Sequence, residues 1–348
     1  MEIEYNLDKQ TELSNCTFVK TVLMLVVLFY HCILYWKGSW FVGEPIYTAQ
    51  PLGLLSSWLN TFHIYGFTLV SGYLFYALKY EKGKYEKFLP FIANKCKRLL
   101  LPYVFVSLVW AIPFAVFFFR YGAMDILKQY ALGTAPSQLW FLLMLFGVFV
   151  MFFPLSSFYK ETFFGGAAVV LLFYGVGIIG LSRFLNVFQV FKACTYLPLF
   201  WAGFKLRQCG NGWLRRIPWY IWILADVLLF AFSRYIACFD GILFRLIQTG
   251  TDFILHIVGA LMAFFVLQKL AVGIKWKQSR VFAVFAKNSM AIYLLHQQVI
   301  YVFIIWLNGL VNPYLHAGIN FVGAVMISLL ISAVLMKFKW TRYAIGEK

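Results

Sequence analysis

Long apolar runs, interrupted by few polar residues, dominate the pattern of this chain. About 20 predominantly apolar residues in a helix cross the hydrocarbon core of a bilayer. Windows of about 19 residues therefore predict about ten membrane-spanning helices. Their expected limits are 17–36, 52–78, 99–119, 138–158, 163–182, 188–204, 217–235, 250–270, 284–307 and 316–337. The predicted fold class is all-α, a polytopic membrane helix bundle.

The composition agrees with this pattern. Of the 348 residues, 62% are hydrophobic and only 12% are charged, whereas about 25% of residues are charged in a soluble domain. No polar stretch is long enough to form a soluble domain of its own. We therefore expect one integral membrane domain over residues 1–348, with a short cytoplasmic N-terminal segment at 1–16 and a cytoplasmic tail at 338–348.

The net charge of +17 comes from basic residues that cluster in alternate predicted loops. Those clusters lie at 79–98, 205–216, 269–287 and 337–348. The loop between spans nine and ten contains no Lys or Arg. Because Lys and Arg mark cytoplasmic loops, the alternation predicts that both termini are cytoplasmic. Membrane topology therefore explains the positive charge, and a nucleic-acid partner is not expected.

The first predicted span carries two ionisable residues, Lys20 and His31. A separation of eleven residues places them on one helix face, about 16 Å apart along the axis. Ionisable groups inside a membrane span are costly and are hypotheses for function by default. An imidazole can serve as a general base near neutral pH, although a core histidine bonded to a neighbouring helix is the plain alternative. His63 and His296 are expected near the depth of His31.

Other polar residues give weaker signals. Six cysteines without CxxC or zinc spacing indicate neither a disulfide framework nor a metal site. Ser71–Gly72 favours close helix packing. We expect Asp226 to pair with a basic residue, and His256 to pair with Asp252 at i, i+4. His316 is predicted in a loop.

Several short motifs occur in a recognisable order. After Lys20 and His31 they are FHIYGFTLVSGYLF (62–75), NKCKRLLLPY (94–103), LWFLLMLF (139–146), YLPLFWAGFKLR (196–207), NSMAIYLLHQQVI (288–300) and TRYAIGEK (341–348). With these landmarks the chain resembles the acyltransferase-3 family of integral membrane acyltransferases. The family usually has Arg where this chain has Lys20, so a point charge replaces a planar, bidentate group there.

The resemblance implies transfer of an acyl group, usually acetyl, from cytoplasmic acyl-CoA to a hydroxyl of a cell-envelope polysaccharide or lipid-linked sugar. It implies acetyl-CoA as co-substrate, no permanently bound cofactor, and a multi-pass location in a bacterial inner (plasma) membrane. The candidate catalytic residues are His31, His63 and His296. Lys20, Lys95 and Arg98 are the candidates for binding the phosphates of CoA.

Two other functions fit a polytopic chain. A transporter, such as a flippase for lipid-linked sugars or an ion-coupled carrier, would use the same buried His and Lys as substrate or proton sites. CoA should raise the melting temperature of an acyltransferase but not that of a carrier. A polysaccharide polymerase usually has a large external loop, and no predicted external loop here is long enough. The sequence carries no signal for oligomeric state.

Overall fold

The computed structural model describes residues 2–38, 40, 43–210 and 212–346. Across these residues the chain is helical and contains no strand. Residues 1, 347 and 348 of the predicted terminal segments lie outside the described residues. The α-helices in chain order are α1 (Glu2–Ile33), α2 (Gln50–Leu59), α3 (His63–Tyr76), α4 (Phe88–Lys95), α5 (Leu101–Val106), α6 (Ile112–Phe119), α7 (Ala123–Ile126), α8 (Trp140–Phe152), α9 (Ser156–Glu161), α10 (Phe164–Arg183), α11 (Val190–Cys209), α12 (Gly212–Arg216), α13 (Trp219–Ile236), α14 (Ile242–Gly273), α15 (Arg280–Leu307), α16 (Pro313–Leu335) and α17 (Lys339–Ala344).

Seven helical stretches are long and apolar enough to cross a membrane, counting only the described part of the chain. They are Gln10–Lys37, Phe88–Phe119, Phe164–Arg183, Trp219–Ile236, Ile242–Gly273, Arg280–Leu307 and Pro313–Leu335. These coincide with predicted spans one, three, five and seven to ten. The chain is therefore a multi-pass membrane protein, while the total of ten spans and the cytoplasmic termini stay predictions.

The stretch Phe88–Phe119 is helical throughout but widens twice. The π-helical turns Cys96–Leu100 and Ser107–Ala111 separate α4, α5 and α6. Each π turn is followed two residues later by a proline, Pro102 or Pro113. A proline has no N–H to donate and its ring clashes with the carbonyl four residues earlier. The wider turn relieves that conflict and lets the helix continue across the bilayer.

The described residues divide into two compact units, each assembled from separate parts of the sequence. The first unit contains residues 2–30, 54–77 and 199–286, and the second contains 31–53, 78–198 and 287–346. The expectation that the chain is a single acyltransferase domain stays a prediction.

Helices α3 and α11 cross closely within the first unit. A Cβ atom added to Gly72 would lie 1.9 Å from the Phe200 carbonyl oxygen, and one added to Gly203 would lie 1.9 Å from that of Leu69. Each glycine thus admits the backbone of the opposite helix. The prediction that the Ser71–Gly72 motif serves close helix packing is confirmed.

The second unit has an apolar core to which α5, the 3₁₀ turn Ser137–Leu139, α8 and α15 contribute. Its fully buried members include Val106, Leu139, Leu142 and Leu294. Beside this core lie three buried polar residues: Gln138 in the 3₁₀ turn Ser137–Leu139 that leads into α8, and His296 and Gln298 on α15. Polar groups at such positions need partners inside the protein.

Candidate active site

The second unit brings two of the predicted catalytic histidines together. His31 lies near the end of α1 and His296 near the middle of α15. His31 Nδ1 lies 3.2 Å from His296 Nε2, within hydrogen-bond distance. His296 is fully buried, whereas His31 is half-buried. The more accessible ring is therefore the one that can meet a substrate.

Backbone carbonyls assign the protons in this histidine pair. His296 Nδ1 lies 2.7 Å from the carbonyl oxygen of Tyr293 and 3.1 Å from that of Ile292. A carbonyl oxygen only accepts, so the proton of neutral His296 belongs on Nδ1 and its Nε2 is an acceptor. His31 then donates from Nδ1 to His296 Nε2. This assignment leaves the lone pair of neutral His31 on its Nε2.

The two histidines are arranged like a general base and the group that orients it. His31 Nε2 can take a proton, and the imidazolium that forms keeps its Nδ1–H bonded to His296 Nε2. The same logic, in which a second group fixes the tautomer and orientation of a catalytic imidazole, operates in hydrolase triads. The arrangement can therefore deprotonate a hydroxyl that reaches His31.

Aromatic rings line one side of His31. The Trp40 ring centroid lies 5.9 Å from that of His31 and 5.0 Å from that of Tyr301. Phe114 and Phe119 flank Tyr301, with centroid distances of 5.7 and 5.4 Å. The aromatic ring of Trp40 lowers the polarity on this side of His31, which strengthens electrostatic interactions there.

Comparison with known proteins identifies the family at this point. The sequence model of a family described as "Acyltransferase domain", Acyl_transf_3, matches residues 15–337. The chain belongs to the acyltransferase-3 family. No curated protein and no solved structure matches it. Family membership makes this multi-pass protein a membrane acyltransferase, and the histidine pair falls inside the matched range.

Gln138 holds the histidine-bearing part of α15 in this acyltransferase. Its Nε2 donates to the Leu294 carbonyl oxygen at 2.7 Å and to Gln298 Oε1 at 2.8 Å. Gln298 Nε2 donates back to Gln138 Oε1 at 3.2 Å, and Tyr293 Oη donates to the Gln138 carbonyl. Gln138 is not among the site residues predicted from the sequence. The feature that could have indicated it is its position, since an amide side chain stands directly before the apolar LWFLLMLF motif (139–146).

His63 lies in the first unit. Its Nδ1 is 2.5 Å from the Leu59 carbonyl oxygen, and its ring centroid is 4.6 Å from that of Tyr30. The side chain is 1% exposed. Because α2 ends at Leu59 and α3 begins at His63, this hydrogen bond ties the two helices across the break. The geometry gives His63 a structural task, and its catalytic role stays a prediction.

The residues predicted to bind CoA lie in both units. Lys95 Nζ lies 3.7 Å from the ring centroid of Phe149 and 5.5 Å from that of Tyr85. Arg98 is exposed. Burial raises the pKa of the Tyr85 phenol, and the nearby Arg98 guanidinium opposes that rise. Lys95 and Arg98 thus both place a positive charge near Tyr85. Lys20 is half-buried on α1 in the first unit.

Asp226 is hydrogen-bonded to a tryptophan and not to a basic residue as predicted. Trp58 Nε1 donates to Asp226 Oδ2 at 2.8 Å, and the side chain is completely buried. The indole supplies a donor without a charge. The sequence pattern could not single out Trp58 from the many aromatic residues of the chain.

His256 and Asp252, which were expected to pair with each other, have separate partners on neighbouring helices. Asp252 Oδ1 accepts from Ser233 Oγ at 2.6 Å, which ties α14 to α13. His256 stacks on Tyr65, with ring centroids 3.8 Å apart. Spacing at i, i+4 places two residues on one face, but contacts with neighbouring helices decide their partners.

The prediction of a loop at His316 is wrong. His316 lies in the first turn of α16, is 2% exposed, and packs its ring against Trp36 at a centroid distance of 5.3 Å. One turn later, Asn320 Nδ2 donates to the Cys32 carbonyl oxygen at 3.2 Å. Asn320 thereby holds the end of α1 directly after His31.

Proposed function

We propose that this acyltransferase moves an acyl group, usually acetyl, from acyl-CoA to a hydroxyl of a cell-envelope polysaccharide or a lipid-linked sugar. The observation that carries the proposal is the His31–His296 pair, whose tautomers leave a proton-accepting nitrogen on the accessible ring. Family membership supplies the reaction class. The proposed location is a bacterial inner membrane, with donor entering from the cytoplasm and acceptor from outside.

In the proposed reaction, His31 Nε2 takes the proton of the acceptor hydroxyl while its oxygen attacks the thioester carbonyl. The tetrahedral intermediate collapses with cleavage of the carbon–sulfur bond. The departing CoA thiolate then takes the proton from His31, which restores the neutral ring. Throughout, His296 Nε2 accepts the hydrogen bond from His31 Nδ1. General base catalysis of this kind contributes about 10²–10⁴-fold to the rate.

Lys20, Lys95 and Arg98 remain our candidates for holding the phosphates of the donor at the cytoplasmic end. Arg98 is exposed and lies within the π turn Cys96–Leu100, so its guanidinium can reach a ligand. A charge-assisted hydrogen bond to phosphate suits Arg in particular. Lys95 lies over an aromatic ring and supplies a positive potential at the same segment.

The test uses purified protein in detergent, radiolabelled acetyl-CoA and an envelope glycan extract. We expect label transfer by the wild type and its loss by about 10²–10⁴-fold in His31→Ala, with CoA still raising the melting temperature of both. His256→Phe is the matched control, because phenylalanine can keep the stacking on Tyr65. Wild-type transfer by a normally expressed His31→Ala would refute the proposed role. Absence of both transfer and CoA stabilisation, with a second acyl donor also tried, would favour the carrier.

A further inference from the structure

A cavity of about 440 Å³ lies in the first unit, bounded by α1, the start of α13 and the end of α14. None of the predicted catalytic or CoA-binding residues lines it. Its polar lining residues are Glu12, Asn15, Arg216, Gln268 and Lys269. A concave site of this volume with a few convergent polar groups has the character of a small-molecule site.

The positive end of a long helix opens onto this cavity. Helix α13 begins at Trp219 after Pro218, and both residues line the cavity. The N-cap residue, Pro218, makes no capping hydrogen bond through its side chain. Apart from the Ile221 N–H, which donates to the Pro218 carbonyl oxygen at 3.0 Å, the N–H groups at a helix start have no partner within the helix, and the helix dipole adds a partial positive charge there. These features favour an anion at this position.

Two cations add to the positive potential. Arg216 and Lys269 line the same cavity and are both exposed. The acid in the lining, Glu12, is 5% exposed and accepts a hydrogen bond from Tyr73 Oη at 2.5 Å. That same hydroxyl accepts from Arg207 at 2.9 Å, which offsets the buried carboxylate. The cavity therefore favours a negatively charged group such as phosphate.

Gln268 adds a requirement that the ligand carry a hydrogen-bond donor. It is 7% exposed, and its Nε2 donates to the Glu12 carbonyl oxygen at 3.0 Å. Its Oε1 is buried and has no hydrogen-bond partner among the described residues. A buried acceptor without a donor costs free energy that a ligand N–H or O–H can recover. The ligand therefore carries a hydrogen-bond donor as well as an anion.

We propose that this cavity binds a phosphorylated small molecule of nucleotide size that carries an N–H or O–H donor. Its phosphate would meet Arg216, Lys269 and the start of α13, its donor would meet Gln268 Oε1, and Trp219 offers a ring for a planar base. The same chemistry belongs to the nucleotide end of an acyl-CoA and to a free nucleotide. Binding is measured without turnover, so the inference stands or falls independently of the His31 reaction.

The test measures equilibrium binding of adenosine 3′,5′-bisphosphate, adenosine, inorganic phosphate and CoA to the full-length protein in detergent. We expect the bisphosphate to bind more tightly than adenosine or phosphate alone. Arg216→Gln, Lys269→Gln and Gln268→Met should each weaken it by about tenfold or more. Lys275→Gln is the matched control, because Lys275 is a cation beyond the end of α14 that does not line the cavity.

Two further measurements separate the sources of the ligand. If the site holds the acyl donor, CoA displaces the bisphosphate, and Lys269→Gln raises the KM for acyl-CoA without a matching fall in kcat. If the site holds a free nucleotide, the bisphosphate binds without competition from CoA and that KM is unchanged. Failure of every probe to bind, or equal binding by all variants, would overturn the inference.

Discussion

A histidine serves as a base only through a ring nitrogen that carries a lone pair. In the His31–His296 pair, the Tyr293 carbonyl at 2.7 Å from His296 Nδ1 determines which nitrogen that is. His296 transmits this constraint to His31 through the 3.2 Å contact. At the scale of single residues, a backbone acceptor thus sets the tautomer of a ring two hydrogen bonds away.

Substitutions at His296 distinguish orientation from mere packing. In His296→Gln the side-chain oxygen can occupy the place of Nε2 and accept from His31 Nδ1, so a measurable part of acyl transfer should survive. His296→Phe fills the same space without an acceptor and should lose about 10²-fold or more. The measurement is kcat at saturating acyl-CoA in detergent. Equal activity of the two variants would show that the acceptor has no part in catalysis.

Asp226 provides a prediction about stability. Asp226→Asn keeps an oxygen for Trp58 Nε1 and should melt close to the wild type. Asp226→Leu leaves the indole N–H without its acceptor and should lower the free energy of unfolding by about 1–3 kcal/mol. Trp58→Phe is the companion variant, because it removes the donor and should reduce the difference between Asn and Leu. Thermal melting in detergent measures these changes, and a leucine variant as stable as asparagine would contradict the assigned bond.

The sequence pointed to His31 because an ionisable group inside an apolar span is costly. It could not show that His296 faces His31, because the rotation of α15 depends on packing and on Gln138. His316 was misplaced although a local signal existed. Asn312 followed by Pro313 is a helix-start pattern, and Asn312 Oδ1 accepts from the Leu315 backbone N–H at 2.9 Å.

At the scale of elements, glycines decide how closely α3 and α11 approach. The Cβ atom of an alanine at position 72 or 203 would collide with a backbone oxygen, which cannot move as a flexible side chain can. We therefore expect Gly72→Ala and Gly203→Ala each to destabilise the first unit by about 1–3 kcal/mol.

Gly175 supplies the matched control for these variants. It lies inside α10, and an added Cβ there meets no atom within 4 Å. Gly175→Ala should be neutral or stabilising by about 0.5–1 kcal/mol, since alanine is the better helix former. Melting curves of the three variants decide the matter. Equal melting temperatures for Gly72→Ala and Gly175→Ala would refute the close crossing.

Helix positions were more predictable than helix continuity. Hydropathy windows average over about 19 residues, so the predicted span 52–78 hid the break at residues 60–62 between α2 and α3. The same averaging missed the π turns in Phe88–Phe119. Those turns depend on where Pro102 and Pro113 interrupt the hydrogen bonds, which residue-level reasoning can recover.

At the scale of the whole molecule, the distribution of Lys and Arg predicts which connections face the cytoplasm. The chain offers two exposed cysteines that test this. Cys209 ends α11 next to a basic cluster, and Cys238 lies in the short connection between α13 and α14. The predicted topology puts Cys209 on the cytoplasmic side and Cys238 on the outer side.

A membrane-impermeant maleimide applied to intact spheroplasts should therefore label Cys238 and spare Cys209. Permeabilisation should make Cys209 reactive. Cys238→Ser and Cys209→Ser show which residue carries each signal, and mass spectrometry of labelled peptides gives the readout. Labelling of Cys209 in intact spheroplasts with protection of Cys238 would mean that the predicted orientation is reversed.

The central claim is that His31 and His296 act as one catalytic unit, and a double-mutant cycle tests it most directly. We would measure acyl transfer by the wild type, His31→Ala, His296→Phe and the double variant, each purified and shown to melt normally. Groups that act together lose activity non-additively. We predict that the double variant is no slower than His31→Ala alone. If the two losses multiply instead, the histidines contribute independently and the account of the site is wrong.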